Sequence, residues 1–131
     1  MLKQGSGKII NMASIWGLGA ASGMFPAPAY CAAKGAVVNL TREMGLQYVK
    51  QGITVNALCP GSHATEMDNQ HTSNEDAMNA AKAYIPMGRV AEVSEIRGSV
   101  IFLASSASNF MTGQTLVADG GCLAGPGTHS R

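Results

Sequence analysis

Charge is scarce in this sequence. Only 13% of its 131 residues are Asp, Glu, Lys or Arg, and nine bases against eight acids leave a net charge of +1. No basic block appears, which argues against nucleic acid or an anionic membrane as a partner. No uninterrupted apolar run reaches the length that crosses a bilayer, and the opening MLKQGSGK lacks the apolar core of a signal peptide. Cysteine is limited to Cys31, Cys59 and Cys122, an odd number at wide spacing. A disulfide framework is therefore not expected, and a reducing cytoplasm is the expected compartment. His63, His71 and Cys59 lack metal-ligand spacing, so no metal is expected.

What the chain does have is apolar and small: 46% hydrophobic residues and 16 Gly. That balance suits one α/β domain with one modest core and lies far from the disordered class. Lys8–Ala13 and Ile53–Cys59 are apolar runs with turn signals at their ends, and both predict buried strands. Between them, Val37, Leu40, Met44 and Tyr48 recur at helical steps, predicting a helix from Tyr30 to about Lys50 that ends at Gln51-Gly52. A second helix is expected from Asn74 to about Tyr84, where Ser73 and Asp76 resemble a capping box. Pro86–Arg89 reads as a turn. Val93, Ile96, Val100 and Leu103 predict a third helix ending near Ser106, and Gln114–Asp119 a third strand stopped by Gly120-Gly121. Strands alternating with helices imply parallel pairing, half of a doubly wound sheet with about three strands and three to four helices. Residues 1–122 form the expected domain, and 123–131, rich in Gly and polar residues, a mobile tail.

Gly17, Gly19 and Gly23 follow the first strand and resemble a dinucleotide fingerprint. Such a loop needs a helix opening at its third glycine. Met24-Phe25-Pro26-Ala27-Pro28 follows instead, and prolines at alternate positions oppose a helix there. The expectation is a flexible loop over a site, with Trp16, Met24 and Phe25 either walling a pocket or packing locally. Gly5-Ser6-Gly7 precedes its strand and fails as a phosphate loop.

Tyr30 and Lys34 stand at i and i+4 and share a helical face. An isolated phenol is a poor acid or base at neutral pH. A neighbouring ammonium favours the phenolate form and so prepares the group for proton transfer. Ala29, Ala32, Ala33 and Gly35 leave room for a flat molecule to approach. Tyr and Lys at this spacing are also common on solvated helices, so the pair acquires meaning only from its surroundings.

Those surroundings are Asn11-Met12-Ala13-Ser14 at one strand end, Tyr30-x-x-x-Lys34 opening a helix, and Asn56–Gly61 with Thr65 at the next strand end. Pro86–Arg89 and Thr112-Gly113-Gln114 leading to Asp119-Gly120-Gly121 complete the series. In this order, over about residues 7 to 121, the chain resembles the catalytic C-terminal half of the short-chain dehydrogenase/reductase family. PGSHATEM, IPMGRVAE and GQTLVADGG look most like the branch holding gluconate dehydrogenases, sugar-alcohol dehydrogenases and 3-oxoacyl carrier-protein reductases.

The resemblance implies an NAD(P)-dependent oxidoreductase that interconverts a secondary alcohol and a ketone, a small-molecule substrate, and a homo-oligomer. It implies that Ser14 holds the substrate oxygen, that Tyr30 exchanges the proton, and that Lys34 binds the nicotinamide ribose while favouring the phenolate. Pro60, Gly61, the backbone at His63, and Thr65 are implied to meet the nicotinamide half of NAD or NADP. The His63 side chain, standing where the family usually has an apolar residue, is not expected to act in catalysis. Asn11 is expected to bond backbone, Asp119 to fix the turn at Gly120-Gly121, and Arg89 to bond local carbonyls or a neighbouring subunit. Two departures stand out. Ser14 and Tyr30 are sixteen apart, a few residues more than usual, which implies an enlarged substrate loop. The family's first glycine-rich loop, its ribose selector, its Asn-Asn-Ala-Gly run and its helix asparagine are missing, so a pocket for the adenosine side is not expected in this chain. Weak or absent activity in isolation is the corresponding expectation. The alternative reading is a non-catalytic remnant or fragment that folds by oligomerising.

Overall fold

The computed structural model describes residues 1–21, 26–65 and 75–125. Three parallel strands, β1 (Gly7–Met12), β2 (Ile53–Pro60) and β3 (Thr115–Ala118), lie in the order β1-β2-β3. Helix α1 (Pro28–Tyr48) connects β1 to β2. Helix α2 (Glu75–Tyr84) and helix α3 (Arg97–Ala104), the latter entered through a 3-10 turn at Val93–Ile96, lie between β2 and β3. Gly7 pairs with Ile53 and Met12 with Leu58, while Ala57 pairs with Thr115 and Pro60 with Ala118. All three strands therefore end at one side of the sheet, where open α/β sheets bind ligands.

The central strand β2 is the core: Val55, Ala57, Leu58 and Cys59 are fully buried. β1 departs from expectation. It is half-buried along Gly7–Asn11, and Met12 is exposed. The apolar run suggested a buried strand, whereas the missing strands of the family implied an exposed edge, and β1 pairs only with β2 among the described residues. Alternation of side chains gives each face its partner. Ala13, Ala57 and Cys59 pack with Val38 of α1, while Lys8 reaches Ser108, just past α3, at 3.0 Å.

Helix α1 opens at Pro28, two residues earlier than its hydrophobic period indicates, and so corrects the expectation that the prolines oppose a helix start. Proline has no N–H to leave unpaired in a first turn, and its fixed φ suits that position. The buried face also differs from the expected one. Val38, Thr41 and Gly45 are buried, whereas Leu40 is half exposed. Small residues let the helix settle close to the sheet. A β-carbon on Gly45 would stand 2.5 Å from the Gly113 nitrogen, and Thr41 accepts from Asn11 at 2.9 Å while donating to the Val37 carbonyl. Asn11 thus bonds a side chain rather than backbone. The expected third helix begins as the Val93–Ile96 3-10 turn and is α-helical only over Arg97–Ala104, and the third strand is shorter at both ends than Gln114–Asp119. Ser73, Met24, Phe25 and most of the expected tail lie outside the described residues.

Candidate active site

Ser14 follows β1 directly. Its backbone is extended, it caps a 3-10 turn at Ile15–Gly17, and its Oγ accepts the Trp16 N–H at 3.2 Å. Ser14, Ile15 and Trp16 are all buried. This corrects the expected flexible loop: Gly17 is there to pack. A β-carbon on Gly17 would stand 2.6 Å from the Lys34 carbonyl oxygen, so the turn carrying Ser14 rests directly on the backbone of α1 at Lys34. Gly23 lies outside the described residues. Trp16 belongs to a buried cluster with Ile15, Ala21, Ile85 and Cys122, so its indole packs the core.

Tyr30 stands in the first turn of α1 and is 37% exposed. Lys34 follows one turn later. Its Nζ lies 5.7 Å from the centroid of the Tyr30 ring and donates to the Met12 carbonyl at 2.9 Å. That separation is within cation–π range. The ammonium therefore sits between the phenol and the end of β1, two residues before Ser14. The three side chains come from one strand end and one helical turn, and the Gly17–Lys34 contact fixes these against each other.

The second strand end supplies the remaining expected residues. Pro60 closes β2, and the Gly61 N–H donates to the Ala118 carbonyl at 2.9 Å. A β-carbon on Gly61 would lie 2.8 Å from the Asp119 α-carbon, which explains the small residue there. His63 is buried, and its Nδ1–H donates to the Gly61 carbonyl at 2.9 Å, so the imidazole braces the loop. Backbone bonds tie Ser62 and Ala64 to Ala91, and the exposed Thr65 donates its N–H to the His63 carbonyl at 2.7 Å. Pro60, Gly61, His63 and Thr65 thus form one short stretch beyond β2. A shallow cleft of about 160 Å³ lies beside it, bordered by His63, Met87, Arg89 and Gly120.

Asp119 acts in the turn, as expected. Oδ1 accepts the Gly121 N–H and Oδ2 the Leu123 N–H, each at 2.8 Å, and Gly120 and Gly121 take the left-handed backbone. Arg89 does something the sequence did not indicate. It makes two bonds to the Glu95 carboxylate at 2.6 and 2.8 Å, with a longer contact to the Val90 carbonyl at 3.5 Å. The six-residue separation crosses from a turn to a capping box, a pairing no helical spacing rule would find. Asn56 was also missed as an anchor. Buried on β2, it donates to the Met111 carbonyl at 2.9 Å and accepts the Gln114 N–H at 3.1 Å. Its signal was a polar residue inside an apolar run.

Thiol chemistry has little support here. Burial pushes the Cys59 thiol up, against lowering by a backbone hydrogen bond from Ser14 and by Arg42 and Lys34. Burial, then Asp119, pushes Cys122 up to about 11. Among the described residues no three His, Cys, Asp or Glu side chains are grouped to hold a metal ion, and no helix is long and apolar enough to cross a membrane.

The family model described as enoyl-(acyl carrier protein) reductase matches residues 1–122. The chain belongs to the short-chain dehydrogenase/reductase family. Gluconate 5-dehydrogenase of Gluconobacter oxydans is 40% identical over 121 residues, covering 92% of this chain and 46% of that protein. A Xanthobacter autotrophicus protein described as inactive 2-(S)-hydroxypropyl-CoM dehydrogenase 2 is 41% identical over 128 residues, covering 95% of this chain and 54% of its own. The crystal structure of a gluconate 5-dehydrogenase from Burkholderia cenocepacia, in complex with NADP and tartrate, superposes with a TM-score of 0.89 at 37% identity, over 95% of this chain and 48% of that one. This short-chain dehydrogenase/reductase chain therefore spans about half the length of the relatives it matches.

Proposed function

We propose that the chain carries the catalytic portion of an NAD(P)-dependent oxidoreductase interconverting a secondary alcohol and a ketone, with a sugar acid or polyol as the substrate class. The supporting observation is the placement of the Lys34 ammonium 5.7 Å over the Tyr30 ring and 2.9 Å from the Met12 carbonyl, beside the Ser14 turn. The residues fit the nicotinamide half of a dinucleotide. Tyr30 is exposed, its neighbours Ala29, Ala32 and Ala33 are small and open, and Thr65 is exposed just beyond β2. When bound, the nicotinamide accepts a hydride from the alcohol carbon or delivers one to the ketone. The chain's own residues move the proton. Ser14 donates a hydrogen bond to the substrate oxygen. In oxidation the Tyr30 phenolate takes the alcohol proton, and in reduction its hydroxyl gives that proton to the carbonyl oxygen. Lys34 has N–H donors left beside its bond to Met12 that would hold the ribose hydroxyls. Pro60, Gly61, the backbone at His63 and Thr65 are the residues that would hold the nicotinamide half. We assign this chain no part in holding the adenosine half.

Half a cofactor site binds weakly, so turnover by residues 1–131 alone is expected to be slight. The test is consumption of NADH or NADPH with a keto-sugar acid at high protein concentration. Any rate above background should fall by about 10²–10⁴ in Tyr30→Phe. A rate that survives this substitution overturns the assignment.

One observation favours a second reading. The side of β1 that pairs with no strand among the described residues, with Met12 exposed at its end, and the exposed Leu40, Leu46 and Ile101 on the two flanking helices suit a piece that folds by association. A tight dimer, unaffected by added dinucleotide in sedimentation, would support that non-catalytic reading.

A further inference from the structure

We infer that Trp16 is a positioning residue for Ser14, and that Tyr84 acts through Trp16, so that the seating of α2 governs the hydroxyl meant to meet the substrate. The inference rests on the role proposed above for Ser14.

Trp16 faces two ways. Its backbone N–H donates to Ser14 Oγ at 3.2 Å. A serine hydroxyl has two acceptor sites and one proton. With one acceptor site held from within the turn, the hydroxyl is steadied in one rotamer and its proton stays available to an outside oxygen. The indole of the same residue is buried and meets Tyr84, the last residue of α2, with ring centroids 5.8 Å apart and planes inclined by 48°. Tilted pairs at this separation are favourable beyond their area alone. Ile85 and Cys122 close the cluster around the indole. Burial, with Cys122 and Asp119 adding to it, pushes the Tyr84 phenol up, which keeps its ring neutral.

Helix α2 meets the Trp16 cluster through its last residue, Tyr84, and the Ile85 that follows it. Of its ten residues Ala81 alone is buried, and its first turn, Glu75-Asp76, is exposed. At its C-terminal end Tyr84 and Ile85 pack with the indole. A shift of this end of α2 therefore reaches Trp16, and the Trp16 N–H carries it to Ser14 Oγ. The coupling needs no chain of intermediates, because backbone bond and ring contact belong to one residue.

Trp16 is the sole tryptophan of the chain, so its emission reports the ring contact. Exchange of its amide hydrogen, read by NMR, reports the bond to Ser14. Ser14→Ala should speed exchange at the Trp16 amide about tenfold while leaving emission unchanged. Tyr84→Ala should shift emission to the red and speed the same exchange by a similar factor. Tyr84→Phe, which keeps the ring, should restore both readings to the original values. Tyr84→Leu is read in place of Tyr84→Ala if the latter loses its helical circular dichroism. The inference is overturned if the leucine or alanine variant reddens emission with no change in Trp16 amide exchange, or if Ser14→Ala leaves that exchange unaltered. Neither reading needs turnover. Unchanged exchange would refute the coupling alone, whereas activity that ignores Ser14→Ala would refute the role of Ser14 alone.

Discussion

Gly17 lies so close to Lys34 that a β-carbon on the glycine would stand 2.6 Å from the lysine carbonyl oxygen. Neither partner can give way cheaply, since the obstructing atom is helical backbone. Gly17→Ala should cost about 1–3 kcal/mol in urea unfolding, as overpacking does, and should displace the Ser14 turn. Gly98 is the contrast. It stands within α3, and a β-carbon there would meet nothing within 4 Å, so Gly98→Ala should stabilise by roughly 0.4–1 kcal/mol. An equal effect of the two substitutions would contradict the packing described.

Asn56 holds the segment before β3 onto β2 through its bonds to Met111 and Gln114. Asn56→Ala removes two part-buried bonds, to the Met111 carbonyl and from the Gln114 N–H, each contributing about 0.5–1.5 kcal/mol. The measured loss should exceed that of Asn39→Ala, an exposed position on α1.

Acid should release the Arg89–Glu95 pair. Two guanidinium bonds, aided by the Glu92 N–H, hold the Glu95 carboxyl at about 2 instead of 4.5. A group whose ionisation is lowered by folding stabilises the fold above its unfolded value and loses that contribution as pH falls through the folded one. The advantage over Glu95→Gln should be complete above about pH 5, fade toward pH 2, and shrink in high salt because both side chains are exposed. An advantage constant from pH 7 to pH 2 would refute the pairing.

Much of this was readable from residue order. Alternating apolar runs and helical periods gave the parallel α/β half-sheet, and the Tyr30–Lys34 spacing with Ser14 at a strand end marked the candidate site. What escaped depends on small residues and on contacts between distant segments. Hydrophobic period favoured Leu40 as a core residue because it is large, whereas Thr41 and Gly45 are buried because they let α1 approach Gly113. The glycines at 17 and 19 suggested a mobile loop, yet Gly17 is required by close packing. Trp16 could be placed as pocket wall or packing only once Tyr84, sixty-eight residues away, was seen beside it. β1 looked buried because a run of Ile cannot by itself reveal that, among the described residues, one neighbouring strand accompanies it.

The claim on which the account rests is that the ends of β1 and β2, with Tyr30 and Lys34, form a surface for nicotinamide. Titration of the labelled chain with reduced nicotinamide mononucleotide, followed by NMR, tests it most directly. Resonances of Tyr30, Lys34 and the Gly61–Thr65 stretch should shift together, and Lys34→Met should weaken that binding about tenfold, the loss of one charge-assisted contact. Shifts confined to other parts of the fold, or binding indifferent to Lys34→Met, would contradict the account.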